Sequence, residues 1–177
     1  MPDTHNPAEQ LASFLAKFTP EVAACAQTAL DKMRLRYPTA LELVYDNYNA
    51  LAIGFGPTER ASDAIFSIAL FPRWVSLFFL QGKSLPDPAG LLQGSGNVVR
   101  HIRLPSAAAL DNPAVQTLMR EAATRAAVPF DAHGSHRLII KSISAKQRPR
   151  RPAAKASAGR RPKPSALRKS AVSARPE

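Results

Sequence analysis

Histidine and carboxylate pairs are the residues of this sequence whose types and spacing come closest to those of a reactive site. His133 and His136 share the loop DAHGSHR, but no cysteine is near them, and zinc sites normally take three or four ligands. Glu42 and Asp46 lie on one predicted strand and point to the same side, about 13 Å apart by the rise per residue. That separation is too long for two carboxyls to share a proton, so a solvated strand face is expected. The sequence therefore predicts no catalytic residue, no metal site and no cofactor.

The segment from Gln93 to Asn97, QGSGN, is the nearest match to a phosphate-binding loop. Such loops lead into a helix N-terminus, which supplies backbone N–H groups to the phosphate, whereas this segment precedes a predicted strand. A flexible turn is therefore expected. Cys25 is the only cysteine and lies on the apolar side of a predicted helix, which indicates a structural thiol. This cysteine usage fits a reducing compartment, and a cytoplasmic location is predicted.

Polar side chains at strand ends and on an open sheet face form the predicted ligand-binding cluster. Arg100 lies on the same side of its strand as Ile102, so it is expected to be partly buried and to need a carboxylate such as Asp46. Two interpretations stay open: an ion pair that stabilises the fold, and a patch that binds an anion or another ligand. The candidate ligand-binding residues are Tyr45, Asp46, Asn47, Tyr48, Arg73, Lys83, Asn97, Arg100 and Arg103.

The net charge of +11 lies almost entirely in the C-terminal part of the chain. Residues 146–177 contain 11 Lys/Arg and one acid, whereas residues 1–145 contain 13 Lys/Arg and 12 Asp/Glu. The apolar periodicity stops at residue 146, and the rest has five prolines and no aromatic residue. Such a composition buries too little apolar area to offset an ordering entropy of about 1–2 kcal/mol per residue. The sequence therefore predicts a domain over 1–145 and a disordered tail over 146–177.

The cations of this tail predict contact with nucleic acid or another polyanion. Because the tail has no aromatic residue for base stacking, base-specific recognition of single strands is not expected. A solubilising tail, or one that contacts acidic proteins or lipids, is the alternative. The candidate residues are Lys146, Arg148, Arg150, Arg151, Lys155, Arg160, Arg161, Lys163, Arg168 and Lys169.

Hydrophobic periodicity indicates the elements that must position these residues. Two N-terminal helices, four strands in two hairpins, a further strand, a helix and a last strand follow one another. This order predicts an α+β fold, with an antiparallel sheet of about five to six strands and the N- and C-terminal helices packed on one face. The expected helices span 7–18, 20–36 and 113–129, and the expected strands span 41–46, 51–55, 64–71, 74–80, 98–104 and 137–143.

The longest apolar stretch, residues 64–80, is interrupted by Pro72 and Arg73. Two strands joined by a turn explain it better than a membrane helix, so no membrane span is predicted. An exposed sheet face that carries Trp74, Phe78 and Leu80 would favour a homodimer.

The strand and turn pattern is similar to that of a known family. The segment ELVYDNYNALAIGFGPTERASDAIFSIALFPRWVSLFFLQGKSLPDP, followed by LLQGSGNVVRHIRL and a helix, resembles the YdhG-like domain-of-unknown-function family over roughly residues 7–127. The resemblance implies an α+β fold that is frataxin-like in outline, and some related proteins are regarded as iron chaperones. Frataxin-type iron binding uses a ridge of acids, for which this sequence offers Glu9 in helix 1 and Glu21 and Asp31 in helix 2.

These observations leave three hypotheses about function. The first is a non-enzymatic binding domain for a small ligand or a protein, with a basic tail that contacts nucleic acid non-specifically. The second is a frataxin-like iron-handling protein. The third is an enzyme that acts on an anionic substrate near Arg73, Lys83 and Arg100.

Overall fold

Three helices and six strands form within residues 6–154, the part of the chain that this structure, a computed structural model, describes. Their order agrees with the order expected from the sequence. The elements are α1 (Pro7–Leu15), α2 (Pro20–Arg36), β1 (Leu41–Asp46), β2 (Leu51–Gly56), β3 (Phe66–Phe71), β4 (Trp74–Phe79), β5 (Arg100–Leu104), α3 (Pro113–Thr124) and β6 (Arg137–Ile143).

Each helix begins at a polar cap that is followed by proline. The side chains of Asn6, Thr19 and Asn112 each accept a hydrogen bond from a backbone N–H of the first helical turn, at 3.0, 3.4 and 2.9 Å. The cap satisfies one of the free N–H groups of the turn, and the proline removes another and fixes φ near the helical value. Local sequence therefore sets where all three helices start.

The strands form one sheet in the order β5-β4-β3-β2-β1-β6. The α+β fold class is confirmed. Strands β1 to β5 pair antiparallel with their sequence neighbours, whereas β6 pairs parallel to β1. The expectation of a wholly antiparallel sheet is therefore wrong for β6. The physical reason is the long connection through α3, which carries the chain from one sheet edge to the other and lets it enter in the parallel direction.

One face of the sheet carries the main hydrophobic core. Val44, Ile53, Ile68, Leu77 and Ile102 are register partners across β1 to β5, and none is more than 7% exposed. Because strand side chains alternate between faces, these five lie on the same face. The side chains of the helices and of the connection between α1 and α2 that join them in one cluster are Leu11, Phe14, Leu15, Phe18, Val22, Ala26, Ala29, Leu30, Met33, Val115, Leu118 and Met119.

Glu42 and Asp46 lie on this same core face, on either side of Val44. The expectation that they occupy a solvated strand face is wrong, since both residues are 0% exposed. Leu41, Leu43 and Tyr45 alternate with these acids along β1. Side chains from other elements instead neutralise the two carboxylates, so β1 can turn its acids inward.

Glu42 is neutralised by α2 and by the segment that precedes β6. Arg34 donates through Nε and Nη2 to the two carboxylate oxygens, at 2.6 and 2.9 Å, and Nε2 of His136 lies 2.7 Å from Oε1. The hydrogen bond to Glu42 raises the pKa of Arg34 above its ordinary value. His136, expected to be a plain loop histidine, therefore helps to anchor the start of β6.

Among the described residues, no helix has the length and the apolar character needed to cross a membrane.

Arg34→Met is expected to lower the free energy of unfolding by about 3 kcal/mol, because it leaves a buried carboxylate with one partner fewer. Adding Glu42→Leu removes that carboxylate, so the double variant is expected to be more stable than the single one. Urea denaturation followed by circular dichroism measures both.

The matched control is Arg120→Met, since Arg120 is an exposed α3 arginine whose side chain, within residues 6–154, hydrogen-bonds to Thr117 alone. Equal stability of the Arg34 and Arg120 variants would contradict a structural role for the Glu42 pair.

Candidate functional site

The carboxylate of Asp46 lies beneath the segment that follows β6. Arg150 donates from Nη2 to Oδ1 at 2.7 Å, and Nζ of Lys17 lies 3.0 Å from Oδ2. The side chains of Asp46 and Arg150 are 1% and 4% exposed, so this ion pair is screened from water. Lys17, in the connection between α1 and α2, keeps 41% of its side chain exposed. Asp46 therefore joins three separate parts of the chain.

Arg150 has several further partners in the turn between β1 and β2. Its Nη2 donates to the carbonyl oxygen of Asn47, and its Nη1 donates to that of Tyr48 at 3.4 Å. Its guanidinium also lies over the Phe18 ring, 5.6 Å from the centroid. The backbone N–H of Arg148 donates to the Tyr48 carbonyl at 2.9 Å. The segment is thus bound along the β1–β2 turn by backbone and side chain together.

These contacts correct the expected end of the domain. Residues 146–154 were predicted to belong to a disordered tail, but Arg150 is as well buried as a core residue. The physical reason is that polar and ionic contacts bind this segment, whereas hydrophobic periodicity reports only apolar burial. The remaining tail, residues 155–177, lies outside the described residues.

The pKa of Asp46 is lower than that of an ordinary aspartate. Burial alone would raise it, but the donor groups of Gln147, Lys17 and Arg150 outweigh that effect. At neutral pH the carboxylate is therefore ionised in the folded protein. It is already paired with two cations, Lys17 and Arg150.

A basic groove of about 580 Å³ lies beside the bound segment. It runs between the turn that joins β3 to β4 and the chain after β6. No Asp or Glu is among its lining residues. We define the basic groove by its lining residues, which are Asn49, Phe71, Pro72, Arg73, Trp74, Arg148, Pro149, Arg151 and Pro152.

An aromatic and cationic stack forms one wall of the basic groove. The ring of Trp74 stacks on Phe71 at 5.2 Å and an interplanar angle of 25°. The Arg103 guanidinium lies over the same indole, 4.6 Å from its centroid. Phe71 and Arg103 come from β3 and β5, the strands on either side of β4, so they reach Trp74 from opposite sides. The stack holds the Arg103 charge in place by a cation–π contact.

Four arginines at this end of the sheet have no carboxylate within 4.0 Å among residues 6–154: Arg73, Arg103, Arg148 and Arg151. Arg148 donates to the Asn49 side chain at 3.3 Å, and Arg151 donates to the carbonyls at the C-terminal end of α1, each at 3.3 Å. Neutral oxygens thus position the guanidinium groups of Arg148 and Arg151 but leave their charge uncompensated. The arrangement creates a positive potential that attracts anions.

A smaller hollow of about 310 Å³ continues this surface past Arg103. Arg73 and Trp74 line both depressions, and Glu21 and Cys25 of α2 line the second one. Burial raises the pKa of the Cys25 thiol, which keeps it protonated and poorly nucleophilic. This agrees with the expectation of a structural cysteine.

The predicted ligand-binding residues do not form one cluster, because the structure separates them into groups. Asp46, Asn47 and Tyr48 belong to the turn that holds Arg150. Arg73 and Arg103 lie at the basic groove and its continuation. Tyr45 is on the face opposite the core, and its buried hydroxyl has no hydrogen-bond partner in the described part.

Lys83, Asn97 and Arg100 form the last group, at the opposite end of β4 and β5. Arg100 pairs with Phe79, the last residue of β4. The predicted ion pair between Arg100 and Asp46 is wrong. Arg100 instead donates from Nη1 to the carbonyl oxygens of Gly96 and Val99, at 2.6 and 2.7 Å. Backbone oxygens take the place of the carboxylate that burial was expected to require.

Four of the predicted nucleic-acid residues can be placed: Lys146, Arg148, Arg150 and Arg151. Lys146 is exposed, and Arg148 and Arg151 line the basic groove. Arg150 is buried against Asp46 and cannot contact a polyanion, which corrects that prediction. Lys155, Arg160, Arg161, Lys163, Arg168 and Lys169 lie outside the described residues.

Sequence reasoning missed Lys17, Phe18 and Trp74, which hold or flank the charged groups. Lys17 and Phe18 follow an apolar helix face, and nothing in their spacing points to a carboxylate 29 positions later.

Possible metal ligands are dispersed in the described part of the chain. No group of three or more His, Cys, Asp or Glu side chains there could hold a metal ion. Among the acids considered for iron, Asp31 bonds to Arg34 and Gln27.

No protein-family model matches the chain, and no curated protein or solved structure matches it either. The resemblance to the YdhG-like family therefore stays a prediction from the residue pattern.

Acidification tests the role of Asp46. Because its pKa is lower in the folded state than the value of about 3.9 in an unfolded chain, the unfolded state binds the proton more readily. The stabilisation is present above about pH 4 and is lost as the pH falls towards the folded-state pKa. Asp46→Asn is expected to unfold more easily at pH 7 and to lose less stability than wild type below about pH 4.

Thermal denaturation between neutral and acidic pH measures this difference. The matched control is Asp111→Asn, since Asp111 pairs with Lys32 but has a side chain that is 51% exposed. The same pH dependence in the Asp46 variant and in wild type would show that Asp46 is not the titrating group.

Proposed function

We propose that this chain is a binding protein for nucleic acid, which contacts the phosphate backbone through the basic groove and extends the contact with its C-terminal tail. The observation that carries the proposal is a groove lined by Arg73, Arg148 and Arg151 with no acidic residue. Arg103 adds a fourth charge beside it.

Arginine is the side chain best suited to phosphate. Its planar guanidinium donates two parallel hydrogen bonds to the oxygens, and it stays charged at any physiological pH. The side chains of Arg73, Arg148 and Arg151 also border open space, so a phosphate can approach them without a rearrangement of the core. A surface of this kind binds polyanions by charge and by release of counterions.

The tail is attached at the rim of the same groove. Pro152 lines the groove, and the described residues end two positions later at Ala154. Residues 155–177 contribute seven further Lys/Arg and one acid. Because a tethered cationic segment has a high effective concentration near its attachment point, the groove and the tail act on one ligand.

The predicted binding does not depend on base sequence. The indole of Trp74 already stacks on Phe71 and lies against the Arg103 guanidinium, so it is engaged within the protein and is not offered to a base. Phosphate contacts fix the position of a nucleic acid but carry no sequence information. Duplexes of different sequence should therefore bind with similar affinity.

Arg73→Gln with Arg148→Gln is expected to weaken binding of a labelled DNA duplex. Loss of two phosphate contacts should lower the slope of log K against log salt by about 2 between roughly 50 and 200 mM salt. Fluorescence anisotropy over a salt series measures the slope.

The matched control is Arg60→Gln with Arg120→Gln, which removes the same charge from exposed positions outside the groove. Equal losses in the two double variants would mean that net charge alone drives binding, and would contradict a groove site.

A chain that ends at Ala154 tests the tail separately. This end point keeps the ion pair between Arg150 and Asp46, whereas an end at Ser144 would remove it. The shortened chain is expected to bind DNA more weakly, with a smaller salt slope, because seven cations are gone. The groove substitutions should weaken the DNA binding of the shortened chain further. An affinity equal to that of the full chain would rule out a role for the tail.

A further inference from the structure

The Asp46 pocket consists of the Asp46 carboxylate, the Phe18 ring and the carbonyl oxygens of Asn47 and Tyr48. We propose that it is a recognition site for the first arginine of an extended Arg-Arg-Pro segment. The structure shows it filled by Arg150 of the chain's own Arg150-Arg151-Pro152. The second Arg-Arg-Pro segment of the sequence, residues 160–162, is the ligand that can take its place.

The pocket is matched to a guanidinium group. Two nitrogens of Arg150 reach three acceptors that diverge from one another, and the planar group lies over the Phe18 ring. A lysine ammonium is a single point that cannot span these acceptors or stack in the same way. The site therefore distinguishes arginine from lysine.

Contacts on either side of Arg150 recognise the rest of the segment. The Arg148 backbone N–H binds the Tyr48 carbonyl at 2.9 Å. The Arg151 side chain donates to the carbonyl oxygens of Ala16 and Lys17, each at 3.3 Å, where the dipole of α1 favours a cation. Two adjacent arginines thus bind two different acceptor groups, and the following proline favours an extended chain.

The fit of Arg150 is incomplete, which makes exchange possible. Its Nε is buried and has no acceptor in the described part of the structure. A buried donor without a partner weakens the bound state. A segment held at a slightly different depth can satisfy that donor and compete with Arg150.

The second segment is close enough along the chain to reach the same pocket. Moving the docked arginine from position 150 to 160 lengthens the loop after Ser144 from six to sixteen residues. Loop closure then lowers the effective concentration only about fourfold. Arg160-Arg161-Pro162 is therefore a competitor that the chain itself supplies.

This inference goes beyond the proposed function, and its test contains no nucleic acid. The full chain with Arg150→Ala is titrated with two labelled peptides, QRPRRPAA and AGRRPKPS, which copy the two segments. Both are expected to saturate the variant and to bind wild type up to about fivefold more weakly, because tethered Arg150 competes in wild type at an effective concentration about four times that of residues 160–162.

Two controls identify the pocket and its selectivity. A peptide with lysine in place of the first arginine of the pair is expected to lose about tenfold or more in affinity. Adding Asp46→Asn to Arg150→Ala is expected to abolish saturable binding, because the charged acceptor is gone. Equal binding of the arginine and lysine peptides would overturn recognition of arginine.

A further variant distinguishes the chain's own second segment from an outside ligand. Arg160→Gln with Arg161→Gln, added to Arg150→Ala, removes the remaining competitor, so the peptides should bind more tightly than to Arg150→Ala alone. No change would overturn the assignment of residues 160–162 as a ligand.

A loss of folding in Arg150→Ala would also be informative. The arginine peptides are then expected to restore the helical circular dichroism signal, and the lysine peptide to fail. A folded or unfolded variant that responds to neither arginine peptide overturns the proposal.

Discussion

Burial of two carboxylates at the ends of β1 is the constraint on which much of this structure depends. Glu42 and Asp46 are fully buried, and a carboxylate without a partner inside a protein costs several kcal/mol. Each must therefore bind cationic side chains from other elements: Arg34 of α2 for Glu42, and Lys17 and Arg150 for Asp46. The requirement ties α2, the connection between α1 and α2, and the chain after β6 to β1.

The ion pair at Asp46 has consequences for the surface. Once Arg150 is buried, its neighbours Arg148 and Arg151 are directed to the outside, where with Arg73 they line a groove without acids. The four residues 148–151 thus contain both the buried charge of Arg150 and the exposed charges of Arg148 and Arg151, and burial of the first positions the other two. The basic groove exists because the segment is bound, and the proposed pocket that binds it is selective for arginine.

The sequence predicted the elements well because local signals decide them. Asn6, Thr19 and Asn112, each before a proline, mark helix starts, and alternating apolar residues mark the hairpins. The direction of β6 depends on a crossover at long range, which no local pattern records. The inward face of β1 and the binding of Arg150 depend on ion pairs between residues 29 and 104 positions apart. Composition alone favoured disorder from residue 146, because a charged segment with few apolar side chains gives no sign of a buried partner.

A double-mutant cycle measures the coupling between Asp46 and Arg150 directly. Asp46→Asn, Arg150→Gln and the double variant are unfolded in urea at neutral pH and compared with wild type. If the buried ion pair binds the segment to the domain, the two substitutions should couple by about 2–3 kcal/mol. Losses that add to within about 0.5 kcal/mol would show that the two residues act independently, and that their ion pair does not bind the segment to the domain.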